Sequence, residues 1–503
     1  MSELPLQRRF ERRVVRLQAR LEAGAADRWL PGLMTVGLAL VLTWTALAKV
    51  RSLKTGVDLA AYAQAVWLIG DGKMAQASLF GTDVQLLELH WSFILYPLAV
   101  LGLFFPTPEL LVVAQSLALA VAVLPLWFLA RQVAHLRVGA ASVLVLAYAL
   151  HPATHRLATQ DFHPDAMAVP ALIGMAFFGA TKRWVPYWLC IAIALACRAD
   201  LGLAVALWGF VVLGTRERSV GVWTLGVGLV WSLGLLLVVQ PIVSDTSVIS
   251  DQFGYDDTGL GEVVLSSLRD PVGMVRDLLG SENIALVVGL LSPLIFLPLL
   301  SLRYLAPAFP LAVIYLIADV PADLEFASRA SMLLAFMMIA AAYALNRLGN
   351  MGVDRVFLDV RILTTLAAAS VLSFVASSPI SPYAVPWRLD VLDATDAAAA
   401  EAIELLDPEI AVRASPTALA SMAERPWLFT LDPERLPSAA QAGFPDFTRA
   451  VLVIEREIPE RTAEERDEFD RSMASQGFML LVDDRDNGVS LYSRDETSVS
   501  DGS

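Results

Sequence analysis

Three titratable side chains fall within five residues in "ATQDFHPDAMAVP": Asp161, His163 and Asp165, set between two long apolar stretches. A carboxylate beside an imidazole can accept a proton from an attacking hydroxyl, so the pattern suits general acid–base work. Other polar groups sit in the same way at the ends of apolar runs. Asp58 lies in "KTGVDLAAYAQAVWLIGDG", Glu88 and His90 in "LLELHWS", and Arg198 with Asp200 in the turn "CRADLG". A guanidinium donates paired hydrogen bonds to phosphate oxygens, which makes Arg198 a candidate for holding an anionic substrate. The catalytic candidates are therefore Asp58, Asp161, His163 and Asp165, and the substrate-binding candidates are His90, Arg198, Asp200 and Arg329. His151 and His155 share a helix face, but spacing fixes no third ligand for a metal. No cofactor follows from the sequence; a divalent metal ion held partly by His163 is the one candidate.

Plainer roles compete for each residue. Asp58 can be a helix N-cap, and Asp161 and Asp165 can cap the apolar helix that follows them. Arg198 and Asp200 can be a self-neutralising pair closing a tight turn. The clustering of these groups on one face, and no single residue, carries the functional reading.

The elements that must position them are membrane helices. The chain has 503 residues, 56% hydrophobic and 17% charged, with mean hydropathy +0.59, which places it in the polytopic α-helical membrane class. Apolar runs predict eleven spans near 30–48, 110–130, 138–152, 165–181, 184–197, 201–214, 220–240, 284–300, 304–318, 329–346 and 362–377. The stretch from His90 to Pro106 contains Pro97 and reads as an interfacial or re-entrant helix within a first outer loop, 49–109. The basic segment 1–28 is too long for a signal peptide before the first apolar run, so that span is expected to stay uncleaved, with the N-terminus cytoplasmic.

Charge supports this orientation. Inner segments hold 17 basic against 7 acidic residues, outer loops 9 against 19, and the tail after 378 holds 11 against 25. Lys49, Arg51 and Lys54, just outside the first span, depart from the rule. The net charge of −14 thus belongs to the outer face and tail, and argues against a nucleic-acid partner. Cys190 and Cys197, seven residues apart in one apolar run, are separated by roughly 10 Å of helix and read as core residues. Each arm of the 184–214 hairpin offers about 14 apolar residues, roughly 21 Å of helix against a hydrocarbon core near 30 Å. Such short arms recess Arg198 and Asp200 below the outer surface, in a crevice walled by carboxylates and imidazoles.

From about 379 the pattern changes. "EIAVRAS", "PWLFTLD" and "FTRAVLVIE" predict buried strands, "TAEERDEFDRSMASQG" a helix ending at Gly477, and "FMLLVDD" with "VSLYSRD" a hairpin about Asp486-Asn487-Gly488. Residues 379–495 are thus expected to form a small extracytoplasmic α/β domain, and 496–503 a disordered tail.

Together these motifs resemble a known family. "VDLAAYAQAVWLI", "LHWSFILYPLAVLGLFFP", "DFHPDAM", "CRADLGL" and the tail's "AVRASPTALASMAERPWLF" are similar, in order, to those of the bacterial and archaeal predicted membrane proteins called domain of unknown function 2079. That family resembles in layout the GT-C glycosyltransferases, which use polyprenyl-phosphate sugars on the extracytoplasmic side. The resemblance, spanning roughly 30–380, implies a glycosyltransferase-like protein of the plasma membrane with a polyprenyl-phosphate sugar as donor and an envelope glycan, lipid or protein as acceptor. It also implies that Asp58 stands at the catalytic acidic position of the first outer loop, with one carboxylate where many relatives have two. The "DFHPD" loop then supplies a second acid, and Arg198 replaces a usual lysine. A transporter or flippase for a lipid-linked or anionic substrate would use the same buried charges, and a non-enzymatic envelope scaffold would use none of them.

Overall fold

The computed structural model describes residues 22, 26–79, 91–239, 242, 271–317, 326–352, 355–431, 444–445, 447–458 and 461–494. Contacts divide the chain into two compact units, one of residues 1–42, 116–157 and 164–384, the other of 43–115, 158–163 and 385–503.

The first unit is helical. Four helices of the chain are long and apolar enough to cross a membrane: Ala26–Arg51, Thr107–Val133, Arg218–Val239 and Val360–Ala384. Two bent pairs, Val138–Ala149 with Pro152–Thr159 (43°) and Ser281–Leu294 with Leu297–Val313 (85°), raise the number to six. Eleven full-length spans are therefore not what the described residues show. The segments read near 165–181, 184–197, 201–214 and 329–346 do form helices; Pro164–Ala180, Trp184–Cys197 and Leu201–Leu213 are shorter than the ~20 residues a straight crossing needs, whereas Phe326–Leu348 has 23 residues. The 284–318 region breaks for a local reason. Ile295 and Phe296 adopt left-handed backbone (φ 46° and 57°) between Pro293 and Pro298, neither of which can continue a helix hydrogen-bond ladder.

Small residues let these helices approach closely. A Cβ at Gly209 would lie 2.6 Å from the Leu225 amide nitrogen, so helix Leu201–Leu213 meets helix Arg218–Gly234 backbone to backbone. One buried cation ties further segments of the unit together. Arg131, 1% exposed, bonds Asp27 through Nε (2.7 Å) and Nη2 (3.0 Å), Glu22 through Nη1 (3.0 Å) and the Leu136 carbonyl (2.8 Å). Its charge is thereby matched by two carboxylates, as a buried guanidinium requires.

The second unit contains the C-terminal sheet. Strands β1 (Val412–Ala414), β2 (Leu428–Thr430), β3 (Ala450–Ile454), β4 (Met479–Asp484) and β5 (Val489–Ser493) lie in the order β2-β1-β3-β5-β4. β1 pairs parallel with β2 and β3; β5 runs antiparallel to both β3 and β4. Helix Ala463–Ser475 begins with a Thr462–Glu465 capping box and ends before Gly477, whose φ of +83° suits glycine. Leu431, Val451, Val453, Phe469, Met473, Phe478 and Tyr492 fill the space between this helix and the sheet.

Residues 43–115 belong to the same unit as this sheet. Their connection is polar and buried. Gln64, fully buried in helix Val57–Gly70, donates to Ser78 Oγ (2.9 Å) and to the Arg425 carbonyl (3.2 Å), and accepts from the Ser78 amide (3.0 Å). Ser78 Oγ in turn donates to the Leu428 carbonyl (2.6 Å) and accepts from the Leu428 amide (2.9 Å). One hydroxyl thus serves both backbone groups at the start of the outermost strand, β2. The stretch 91–106 yields an eight-residue helix, Leu95–Gly102, far too short to span, which packs on helix Val57–Gly70.

Gln64→Leu should remove two donors and an acceptor while preserving bulk, leaving the Ser78 amide and the Arg425 carbonyl without the Gln64 partner. Each buried orphan costs about 1–3 kcal/mol. Hydrogen exchange should therefore show faster exchange at Ser78 and Leu428, with the helix Ala463–Ser475 unaffected.

Candidate active site

Helix Val57–Gly70 is buried along nearly its whole circumference, and Asp58 is its one exposed residue. Its amino-terminus lacks a cap from its own sequence: the N-cap residue is Gly56, and no local side chain bonds the first amides. Asp161 supplies the cap from a distant part of the chain. Its carboxylate accepts from the Gly56 amide (2.9 Å) and the Leu59 amide (3.4 Å). Those donors are otherwise orphaned at a helix start, and the negative charge also complements the helix dipole. A Cβ on residue 56 would sit 2.6 Å from Asp161 Oδ2, so glycine is required for the carboxylate to approach.

The rest of the 158–163 segment is fixed around this contact. Lys49 Nζ donates to the Thr159 carbonyl (2.5 Å). Gln115 accepts from the His163 amide (2.7 Å) and donates to the Asp161 carbonyl (3.4 Å). Phe162 is fully buried and meets Tyr62 edge-on, with ring centroids 5.4 Å apart. His163 Nδ1 lies 2.9 Å from the Asp161 carbonyl oxygen. A carbonyl can only accept, so Nδ1 carries a proton and the second nitrogen, Nε2, faces outward. Nε2 is 3.7 Å from Asp58 Oδ2; the imidazole side chain is 16% exposed and the carboxylate side chain 52%. When protonated on both nitrogens, His163 forms a charged pair with Asp58; when neutral, Nε2 can accept a proton itself.

The remaining candidates other than His90 belong to the first unit. Asp165 is buried in the 3-10 turn Pro164–Met167. Arg198, extended at the end of helix Trp184–Cys197, grips Asp200 with Nε (3.1 Å) and Nη2 (2.7 Å). Both side chains are largely buried, 11% and 17% exposed, which is the geometry of a self-neutralising turn pair. His151 and His155 bond backbone carbonyls of Leu290 and Ala149, and His155 Nδ1 meets Ser378 Oγ at 2.8 Å. They are packing histidines. His90 falls outside the described residues, as does the side chain of Arg329, whose backbone lies in helix Phe326–Leu348. Among the described residues no three His, Cys, Asp or Glu side chains gather as a metal site.

A model of the predicted membrane protein family DUF2079 matches residues 49–487. The chain belongs to that family. Among solved structures, this DUF2079 protein is similar to ArnT from Cupriavidus metallidurans bound to undecaprenyl phosphate, with TM-score 0.54 and 14% identity over 94% of this chain and 99% of that one. The apo state of the same protein matches with TM-score 0.54 and 15% identity over the same shares. The Archaeoglobus fulgidus oligosaccharyltransferase in the apo form matches with TM-score 0.40 and 13% identity, covering 85% of this chain and 70% of that one. No curated protein matches. At this level of identity the likeness to ArnT is one of fold alone: a mostly helical membrane protein with a small sheet near its C-terminus.

Sequence reading did not single out Gly56 or Gln115 in this DUF2079 chain. Gly56 had a signal, since a glycine two residues before a lone carboxylate leaves the helix start without its own cap. Gln115 had none, being one polar residue in an apolar run. Gly56→Ala should push the Asp161 carboxylate away and remove the cap, costing about 1–2 kcal/mol. Thermal unfolding in detergent should register the loss, whereas Gly32→Ala, with open space at its Cβ, should leave the midpoint unchanged.

Proposed function

We propose that this protein transfers a sugar from a polyprenyl-phosphate donor to an envelope acceptor on the extracytoplasmic face of the plasma membrane, with Asp58 as general base. The observation that carries this reading is the placement of Asp58. It is a half-exposed carboxylate on an otherwise buried helix, held at a helix start that Asp161 locks, with His163 Nε2 beside it. A base must be rigidly aimed yet open to its substrate, and this carboxylate meets both conditions. The fold shared with ArnT, a protein whose structure holds undecaprenyl phosphate, supports the donor class.

In the proposed step the acceptor hydroxyl gives its proton to Asp58 as its oxygen attacks the anomeric carbon. The bond from that carbon to the phosphate oxygen breaks, and polyprenyl phosphate leaves with the electron pair. Inversion at the anomeric carbon follows from a single displacement. His163 accepts or returns the proton through Nε2, and Asp161 acts as a positioning residue through the helix start. Arg198 is the sequence's candidate for the phosphate, and its grip on Asp200 weighs against that role. The eleven-span topology, with the N-terminus cytoplasmic and the C-terminal sheet outside, is part of the same proposal and rests on the charge asymmetry.

Asp58→Asn keeps size but cannot take a proton at neutral pH. It should fold, bind lipid-linked donor and lose turnover by a factor of about 100 to 10,000. Because Asp161, not Asp58, caps the helix, its unfolding midpoint should match wild type. Near-normal turnover would end the case for Asp58 and, with it, this mechanism. For topology, Cys190 and Cys197 are first replaced by alanine. Asp486→Cys, in the exposed hairpin turn, should then react with an impermeant thiol reagent on permeabilised-envelope cells, while Arg216→Cys should not. The reverse pattern would put Asp58 in the cytoplasm.

A further inference from the structure

A polar cavity lies within the helical unit, lined by none of the candidate site residues. It has a volume of about 630 Å³ and is lined by Leu299 to Tyr304, with Tyr343, Asn346 and Arg347. Two guanidinium groups reach it. Arg303 Nη2 donates to the Val211 carbonyl (2.6 Å) and Arg347 Nη1 to the Leu300 carbonyl (2.6 Å). Neither arginine is paired with a carboxylate among the described residues, unlike Arg131 and Arg198, whose charges are matched. Tyr304 and Tyr343 stack in parallel, ring centroids 3.6 Å apart, and Arg303 lies 5.9 Å from the Tyr304 ring. Ser301, 4% exposed, lines the same cavity with a hydroxyl that has no hydrogen-bond partner among the described residues. An orphaned buried hydroxyl beside two unmatched guanidinium groups calls for an acceptor-rich anion.

We infer that this cavity binds the phosphate of an anionic phospholipid headgroup. Phosphate chemistry follows from the donors: two guanidinium groups and a serine hydroxyl, with no acidic side chain lining the cavity. The lipid source follows from the rim. Leu299, Leu300 and Leu302 are 44%, 45% and 60% exposed beside the arginines, an apolar shelf that an acyl chain would cover and free phosphate would not. Basic pockets between membrane helices recognise anionic headgroups in this manner. Arg303 and Arg347 lie in segments that the charge count assigns to the inner side, where anionic lipid attracts basic groups. The site is independent of the transferase reading.

Native mass spectrometry of the full-length protein, released from nanodiscs of equal phosphatidylglycerol and phosphatidylcholine, tests the assignment. Wild type should retain phosphatidylglycerol over phosphatidylcholine by about thirtyfold, as two basic contacts imply. Arg303→Gln with Arg347→Gln should abolish the preference, and Arg303→Lys with Arg347→Lys should keep most of it. If the glutamine pair is not monodisperse, Ser301→Val, which crowds the cavity at unchanged charge, should lower phosphatidylglycerol retention alone. Inorganic phosphate at millimolar concentration should not displace the lipid. Displacement by phosphate alone would overturn the lipid source, and equal retention of both lipids, or retention indifferent to these substitutions, would overturn the site.

Discussion

The contact between the Asp161 carboxylate and the first amides of helix Val57–Gly70 is the constraint on which the candidate site depends. A buried helix start leaves amide donors that must be satisfied, and here the local sequence offers only Gly56. Satisfying them from residue 161 joins two segments more than a hundred residues apart. That single capping event sets the position of Asp58, one turn position away, and of His163, two residues beyond the cap. Lys49, Gln115 and the Tyr62–Phe162 contact then hold the 158–163 segment from three sides. The carboxylate that looks most like chemistry in the sequence thus caps a distant helix, and the one that could pass for a surface cap is the one left facing outward.

Several features were legible in the sequence because they rest on local patterns. The five strands fall where alternating and β-branched runs lie, and Thr462 with Glu465 three residues later marks a helix start in plain view. Family membership was legible from motifs in order. The helix Ala394–Glu404 was missed although Asp393 and Asp396 form a reciprocal cap, because Asp replaces the usual Glu of that pattern and the following alanines carry no amphipathic period. At 284–318 hydropathy is blind to the left-handed pair Ile295 and Phe296 that turns the chain between the two apolar segments.

What could not be read was partnership at long range. Nothing in "LLELHWS" or "GKMAQASLF" announces that Ser78 would serve the backbone of β2 through one hydroxyl, or that Gln64 would complete it. Hence the tail, read as a domain by itself, shares a compact unit with residues 43–115. The same blindness explains two of the three basic residues that broke the charge rule. Lys49 donates to the Thr159 carbonyl and Lys54 to the Val391 carbonyl (3.1 Å), so both are employed in holding segments together and say little about orientation. A charge that looks anomalous to a topology rule is accounted for once its hydrogen-bond partner is known.

The central claim is that Asp58 serves sugar transfer from a lipid carrier. Mass spectrometry of envelope glycans and lipid-linked sugars, in a strain lacking this chain and in the same strain supplied with it again, tests that claim most directly. The account predicts a missing envelope sugar together with accumulated polyprenyl-phosphate-linked donor, both reversed on complementation. An unchanged glycan profile with unchanged lipid-linked sugars would contradict it.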